Sequence, residues 1–162
     1  MTSKKIIGGI TPLLQSHYGG DMDCTLTSIT TILNNGNAVE VYKKVEQIAK
    51  KYFYNSNRGT NPLVIKCILD KMTNKKSKRG YLKNIGYSWS SIKTLIKANK
   101  PIILSMNNDG RNYYKNHSVT IVGYAEYNGG KVKMLAVYDN WSRSTRYIDY
   151  NKLSVISSIN YI

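Results

Sequence analysis

The sequence predicts an α+β fold, with helices first and an antiparallel sheet second, in a chain of 162 residues. Three observations carry it. Between Cys24 and Asn99 apolar residues recur at helical spacing, and from Pro101 onward they fall in compact or alternating runs. Asn128-Gly129-Gly130 is a strong hairpin turn between two of those runs. Helices followed by strands, rather than alternating with them, point away from a parallel sheet. No repeat, linker or low-complexity tract divides the chain, so residues 1–162 read as a single domain, helical over about 12–100 and sheet-forming over about 101–162.

Leu26, Ile29, Ile32 and Leu33 set the first helix, with Asp23 as N-cap and Asn34-Asn35-Gly36 as its stop. Cys24 then falls in the first turn, its sulfur among unpaired N–H groups that lower a thiol pKa. Ala38, Val41, Tyr42, Val45, Ile48, Ala49 and Tyr52 predict a helix from Ala38 to Phe53, followed by a loop over Asn55 to Gly59. Asn61-Pro62 opens the next helix, through Met72, and places Cys67 on its apolar face as a small buried residue. Ser88 caps a short helix carrying Trp89, Ile92, Leu95 and Ile96, which ends at Asn99-Lys100-Pro101.

Pro101 to Met106 reads as a buried strand and Asn107 to Asn116 as a polar loop. His117 to Tyr127 alternates, with Val119 and Ile121 on the histidine's side. Lys131 to Tyr138 returns after the hairpin, a turn spans Asp139 to Ser144, and Thr145 to Tyr150 forms another strand.

Lysine and arginine number 24 against 9 acidic residues, a net charge of +15 that favours anionic partners. The densest stretch holds Lys71, Lys75, Lys76, Lys78 and Arg79, read as a solvated basic loop open to an anionic polymer. No zinc-knuckle spacing or aromatic RNP pattern accompanies the charge, which excludes sequence-specific nucleic-acid recognition. No stretch approaches the roughly 20 apolar residues of a membrane span. The opening Met1 to Ile10 lacks an apolar core and is not a signal peptide; secretion or surface display after removal of a leader is favoured over a cytoplasmic location. Two cysteines exclude a disulfide framework, and two cysteines and two histidines without paired spacing exclude a zinc site.

One set of motifs runs through nearly the whole chain. Pro12-Leu13-Leu14-Gln15, then Asp23-Cys24 at a helix start, a helix feeding Lys100-Pro101-Ile102-Ile103-Leu104, Asn116-His117 opening a strand to Gly123-Tyr124, and Val137-Tyr138-Asp139-Asn140-Trp141 appear in that order. In order and separation they resemble a papain-like cysteine peptidase, closest to the minimal bacterial branch of double-glycine leader peptidases. The resemblance implies a papain-like fold, with an N-terminal helical lobe carrying the cysteine packed on a C-terminal antiparallel sheet.

It further implies Cys24 as nucleophile, His117 as general base, Asp139 as the residue orienting the imidazole, and Gln15 as oxyanion donor beside the Cys24 N–H. Asn140 is the alternative to Asp139, and strand alternation aims only one of the two inward. Trp141 would shield the pair from solvent. Gln15 stands nine residues before Cys24, farther than the family spacing, with Tyr18 in the usual place. The Gly20 and Asp21 backbone or His17 are alternative donors. Thr25 replaces the glycine common after the cysteine. The implied activity is peptide or amide hydrolysis through a thioester, with no metal or cofactor. Two other readings stay open: a transferase using the same residues, and a non-catalytic domain whose basic surface binds an anionic polymer or partner.

Overall fold

The computed structural model describes residues 2–106 and 113–162, so residues 107–112 of the expected polar loop lie outside the described residues. In chain order the elements are β1 (Ser3–Ile6), α1 (Cys24–Leu33), α2 (Ala38–Lys50), α3 (Ile65–Thr73), β2 (Lys78–Tyr81) and α4 (Trp89–Lys97). Then follow β3 (Ile102–Met106), β4 (His117–Tyr127), β5 (Val132–Tyr138), β6 (Arg146–Asp149) and β7 (Ser158–Tyr161).

The strands form one antiparallel sheet in the order β2-β7-β3-β4-β5-β6, with β1 also paired to β4. Long β4 is its spine. The first half of β4 pairs with β3, from Met106↔His117 to Ile102↔Ile121, and its second half pairs with β1, from Ile6↔Gly123 to Ser3↔Glu126. Its pairing with β5 shifts register between Ile121 and Gly123. At Gly123 an added Cβ would lie 2.4 Å from the Lys5 carbonyl oxygen, so only glycine lets β1 approach.

Pleating divides β3 between two cores. Ile103 packs with Leu26, Ile29, Val45, Ile65, Ile68 and Leu69 of the first three helices. Ile102, Leu104 and Met106 join the other core, with Ile92 and Ile96 of α4 and with Val119, Ile121 and Val137. All of these but Met106, at 2%, are 0% exposed, and each full burial is worth about 1.5–3 kcal/mol in transfer terms.

Helix α1 has the expected bounds, and Ser88 caps α4 by accepting from the Ser91 N–H. Helix α2 stops at Lys50 rather than Phe53, because Phe53 turns into left-handed backbone at φ 65°. Asn61 caps a single tight turn, Pro62–Val64, before α3 becomes regular. The expected burial of Cys67 is corrected: Ile65, Ile68 and Leu69 form the inward stripe, and Cys67 is an exposed free thiol.

Strands β1, β2 and β7 were not expected. Each has only four residues, and β2 begins inside the stretch read as a basic loop. The basic stretch is therefore not all loop, since Lys78 and Arg79 lie in edge strand β2, where lysine deters pairing with another chain. No helix among the described residues is long and apolar enough to cross a membrane.

Candidate active site

Cys24 opens α1 and His117 opens β4, and both line a cleft of about 650 Å3. Asp23 fills the N-cap position, but its side chain caps nothing, which corrects the sequence reading. It is buried and accepts instead from the Gly20 N–H at 2.7 Å, the Tyr42 hydroxyl at 3.0 Å and the Tyr54 hydroxyl at 2.5 Å. Burial, reinforced by that carboxylate, pushes both phenols up, so they stay donors. At Gly19 an added Cβ would stand 1.6 Å from the Asp23 Oδ2, which makes this glycine obligatory. The loop before Cys24 is thereby tied to α2.

A polar seam joins α1 to the sheet beside the cysteine. The Thr25 and Ser118 hydroxyls are 2.9 Å apart, and Ser118 is likewise 2.9 Å from the Ser105 hydroxyl. The Ser118 N–H points at the Cys24 Sγ at 3.4 Å. Burial pushes the Cys24 thiol up, opposed by hydrogen bonds from Ser118 and Thr25. This rise from burial runs opposite to the lowering expected from the helix start.

His117 is buried, and burial lowers its pKa. Its Nε2 lies 2.7 Å from the backbone carbonyl oxygen of Asp139. A carbonyl only accepts, so Nε2 carries the proton and the lone pair of the neutral imidazole sits on Nδ1. Tyr114 stacks on the imidazole at 15° and 5.5 Å, and Trp141 covers it with centroids 4.1 Å apart.

The Asp139 carboxylate has other hydrogen-bond partners. It accepts from the Tyr114 hydroxyl at 3.0 Å and from the Trp141 and Ser142 N–H groups at 3.1 and 2.9 Å, forming the turn that carries Trp141. The Asn140 Nδ2 lies within 2.9 Å of the carbonyls of Cys24 and Ser118 and 2.8 Å from the Ser28 Oγ. Two of those partners only accept, which fixes the orientation of the amide. Asp139 thus meets His117 through its main chain, and Asn140 staples α1 to β4 without touching the imidazole.

Gln15 does not line the cleft. Its Nε2 donates to the Asp21 carbonyl at 3.0 Å, its Oε1 is buried without a partner among the described residues, and it borders a neighbouring hollow with Asn140 and Trp141. Tyr18, in the usual place of that glutamine, stacks on Tyr42 at 5.0 Å. His17 is exposed in a separate hollow with Arg143. Sequence reasoning missed Ser118, Tyr114, Phe53 and Arg58; only Tyr114 and Ser118 carried a signal, their closeness to His117 in the chain. Among the described residues, no three His, Cys, Asp or Glu side chains are placed to hold a metal ion.

The model of the Peptidase_C39 like family matches residues 9–161, which include Cys24, His117 and the Asp139 turn. The chain belongs to the Peptidase_C39-like family. No curated protein matches the sequence. Among solved structures, a candidate C39-like peptidase from Bacillus anthracis superposes with a TM-score of 0.64 at 17% identity, over 99% of this chain and 98% of that one. UfSP from C. elegans gives 0.64 at 11% identity, over 99% of this chain and 34% of that one. A structure bearing on the limited antibody cross-reactivity between the mite allergens Blo t 1 and Der p 1 gives 0.58 at 11% identity, over 93% of this chain and 66% of that one. At these identities the likeness is one of fold, and the fold is papain-like, a C39-like member with a helical lobe against an antiparallel sheet.

Proposed function

We propose that the chain is a cysteine peptidase that hydrolyses peptide or amide bonds through a thioester on Cys24. The observation that carries this reading is the pairing, in one cleft, of a thiol at a helix start with an imidazole whose main-chain hydrogen bond leaves Nδ1 free to accept a proton. Nδ1 takes the Cys24 proton as sulfur adds to the carbonyl carbon. The Cys24 N–H, at the first helical position without an intrahelical acceptor, faces the developing oxyanion. Collapse breaks the C–N bond, and the imidazolium protonates the departing amine. Water then adds to the thioester, giving its proton to Nδ1, and the C–S bond breaks to release acid and thiol.

Asp139 serves here as the orienting residue through its carbonyl, with its carboxylate holding the turn. Gln15 has a supporting place, fixing Asp21 at the cleft edge. The same position favours a second reading, in which the site lacks an oxyanion partner, catalysis is lost, and the surface around Lys71, Lys75, Lys76, Lys78 and Arg79 binds an anionic polymer. Intact-mass measurement after treatment with a peptidyl epoxide separates the two. One adduct on wild type, absent in Cys24→Ala and slowed in His117→Ala, supports the peptidase. No adduct on folded wild type leaves the binding reading.

A further inference from the structure

The loop between α2 and α3 forms one wall of the cleft and carries two features that its own fold does not need. Phe53 is 94% exposed and holds a left-handed φ of 65°, a conformation that a bulky side chain rarely adopts. Arg58 lines the same cleft, as does Lys115 beside the histidine, and among the described residues neither has an ion-pair partner. Asp21 is the one carboxylate among the described lining residues, so these are net cationic, within a chain of charge +15.

The loop is ordered by its own backbone. The Arg58 and Gly59 N–H groups donate to the Asn55 carbonyl at 3.0 and 2.7 Å, and the Asn57 N–H donates to the Asn55 side chain at 2.8 Å. Gly59 has φ 75°, and an added Cβ would stand 2.9 Å from the Met22 carbonyl, so the loop sits directly against the segment before Cys24. Phe53 and the 43%-exposed Met22 thus supply exposed apolar surface to a cleft that Arg58 and Lys115 also line.

We propose that this loop reads the substrate, and that the cleft takes peptide segments pairing an apolar side chain with an acidic one. The apolar side chain covers Phe53 and Met22, removing from water surface that the folded chain leaves exposed. The acidic side chain meets Arg58 and Lys115, and the surrounding positive field raises the encounter rate of such segments. This rests on the cysteine-peptidase reading, because labelling at Cys24 is its readout.

The test uses three peptidyl acyloxymethyl ketones with one Leu-Ala core flanked by Glu, Gln or Lys, and follows the rate of covalent labelling at Cys24. Wild type should label in the order Glu, Gln, Lys, with about 10-fold between the extremes at low salt, shrinking as salt is raised. Arg58→Glu should reverse the order, and Phe53→Gly should slow all three without reordering them. Lys97→Gln, on the exposed face of α4, removes one charge elsewhere and should change nothing. Equal rates for the three probes, or an order that survives Arg58→Glu, overturns the proposal while leaving the peptidase reading intact. No labelling of folded wild type by any probe removes the peptidase reading and this proposal with it.

Discussion

Nε2 of His117 stands 2.7 Å from the main-chain carbonyl oxygen of Asp139, while the Asp139 carboxylate is engaged by Tyr114, Trp141 and Ser142. The orienting acceptor is therefore present whatever side chain occupies position 139. Asp139→Asn keeps an oxygen for the Trp141 and Ser142 N–H groups and should hold kcat/KM within about 3-fold of wild type, whereas Asp139→Ala frees the turn and should lose about 10–100-fold. Peptide hydrolysis by folded variants checks this. A collapse in Asp139→Asn equal to that in Asp139→Ala would show that the carboxylate charge itself is needed.

Asn140 behaves as a staple. Asn140→Ala removes the donor that three buried acceptors share and should cost about 2–3 kcal/mol in urea unfolding. A stability unchanged within 0.5 kcal/mol would mean that the seam closes without it.

Burial lowers the His117 pKa, so below the ordinary imidazole value of about 6.5 the unfolded chain binds a proton that the folded chain does not. Stability should be fully present above pH 6.5 and fall as pH drops from there through the folded-state value. His117→Gln should flatten that part of the stability profile measured by urea melts. The same slope in the variant assigns the pH dependence to other groups.

Cys24 is raised, the opposite sense. Its buried thiol adds stability that is present below the ordinary thiol pKa of about 8.5 and lost as pH rises through the folded value. Iodoacetamide modification of Cys24, followed by peptide mapping, should accelerate with an inflection above pH 8.5. An inflection near pH 6 would instead mark a resting thiolate–imidazolium pair.

Tyr54→Phe removes a donor from the buried Asp23 carboxylate and should destabilise the fold by about 2 kcal/mol. Unfolding in urea reads this directly, and a change below 0.5 kcal/mol would mean that water replaces the phenol.

Most of this architecture is legible in the residues. Helix α1 and the strand opened by His117 are strongly periodic, and their stops and turns carry Asn and Gly where the backbone goes left-handed, as at Asn128 and Gly129. The short strands β1, β2 and β7 escape notice because long-range pairing, not local pattern, makes them strands; Lys78 and Arg79 extend only because β7 lies beside them. The cleft itself follows a similar division. The resemblance points to Cys24, His117 and Asp139, and the structure brings them to one region, whereas the atom of Asp139 that faces the imidazole depends on a turn geometry that no spacing reports. Phe53 and Arg58 reach the cleft because Gly59 folds onto Met22, a contact between segments far apart in the pattern.

Two consecutive residues on one turn reach both sides of the cleft: the Asp139 carbonyl meets His117, and the Asn140 amide holds the backbone of Cys24 and of Ser118. A hinge motion swinging α1 away from the sheet would have to break the Asn140 bonds to the Cys24 carbonyl and the Ser28 hydroxyl together. The first turn of α1 is accordingly pinned to the same short turn that supplies the acceptor for the imidazole, so a change at position 140 would reach Cys24 and His117 at once.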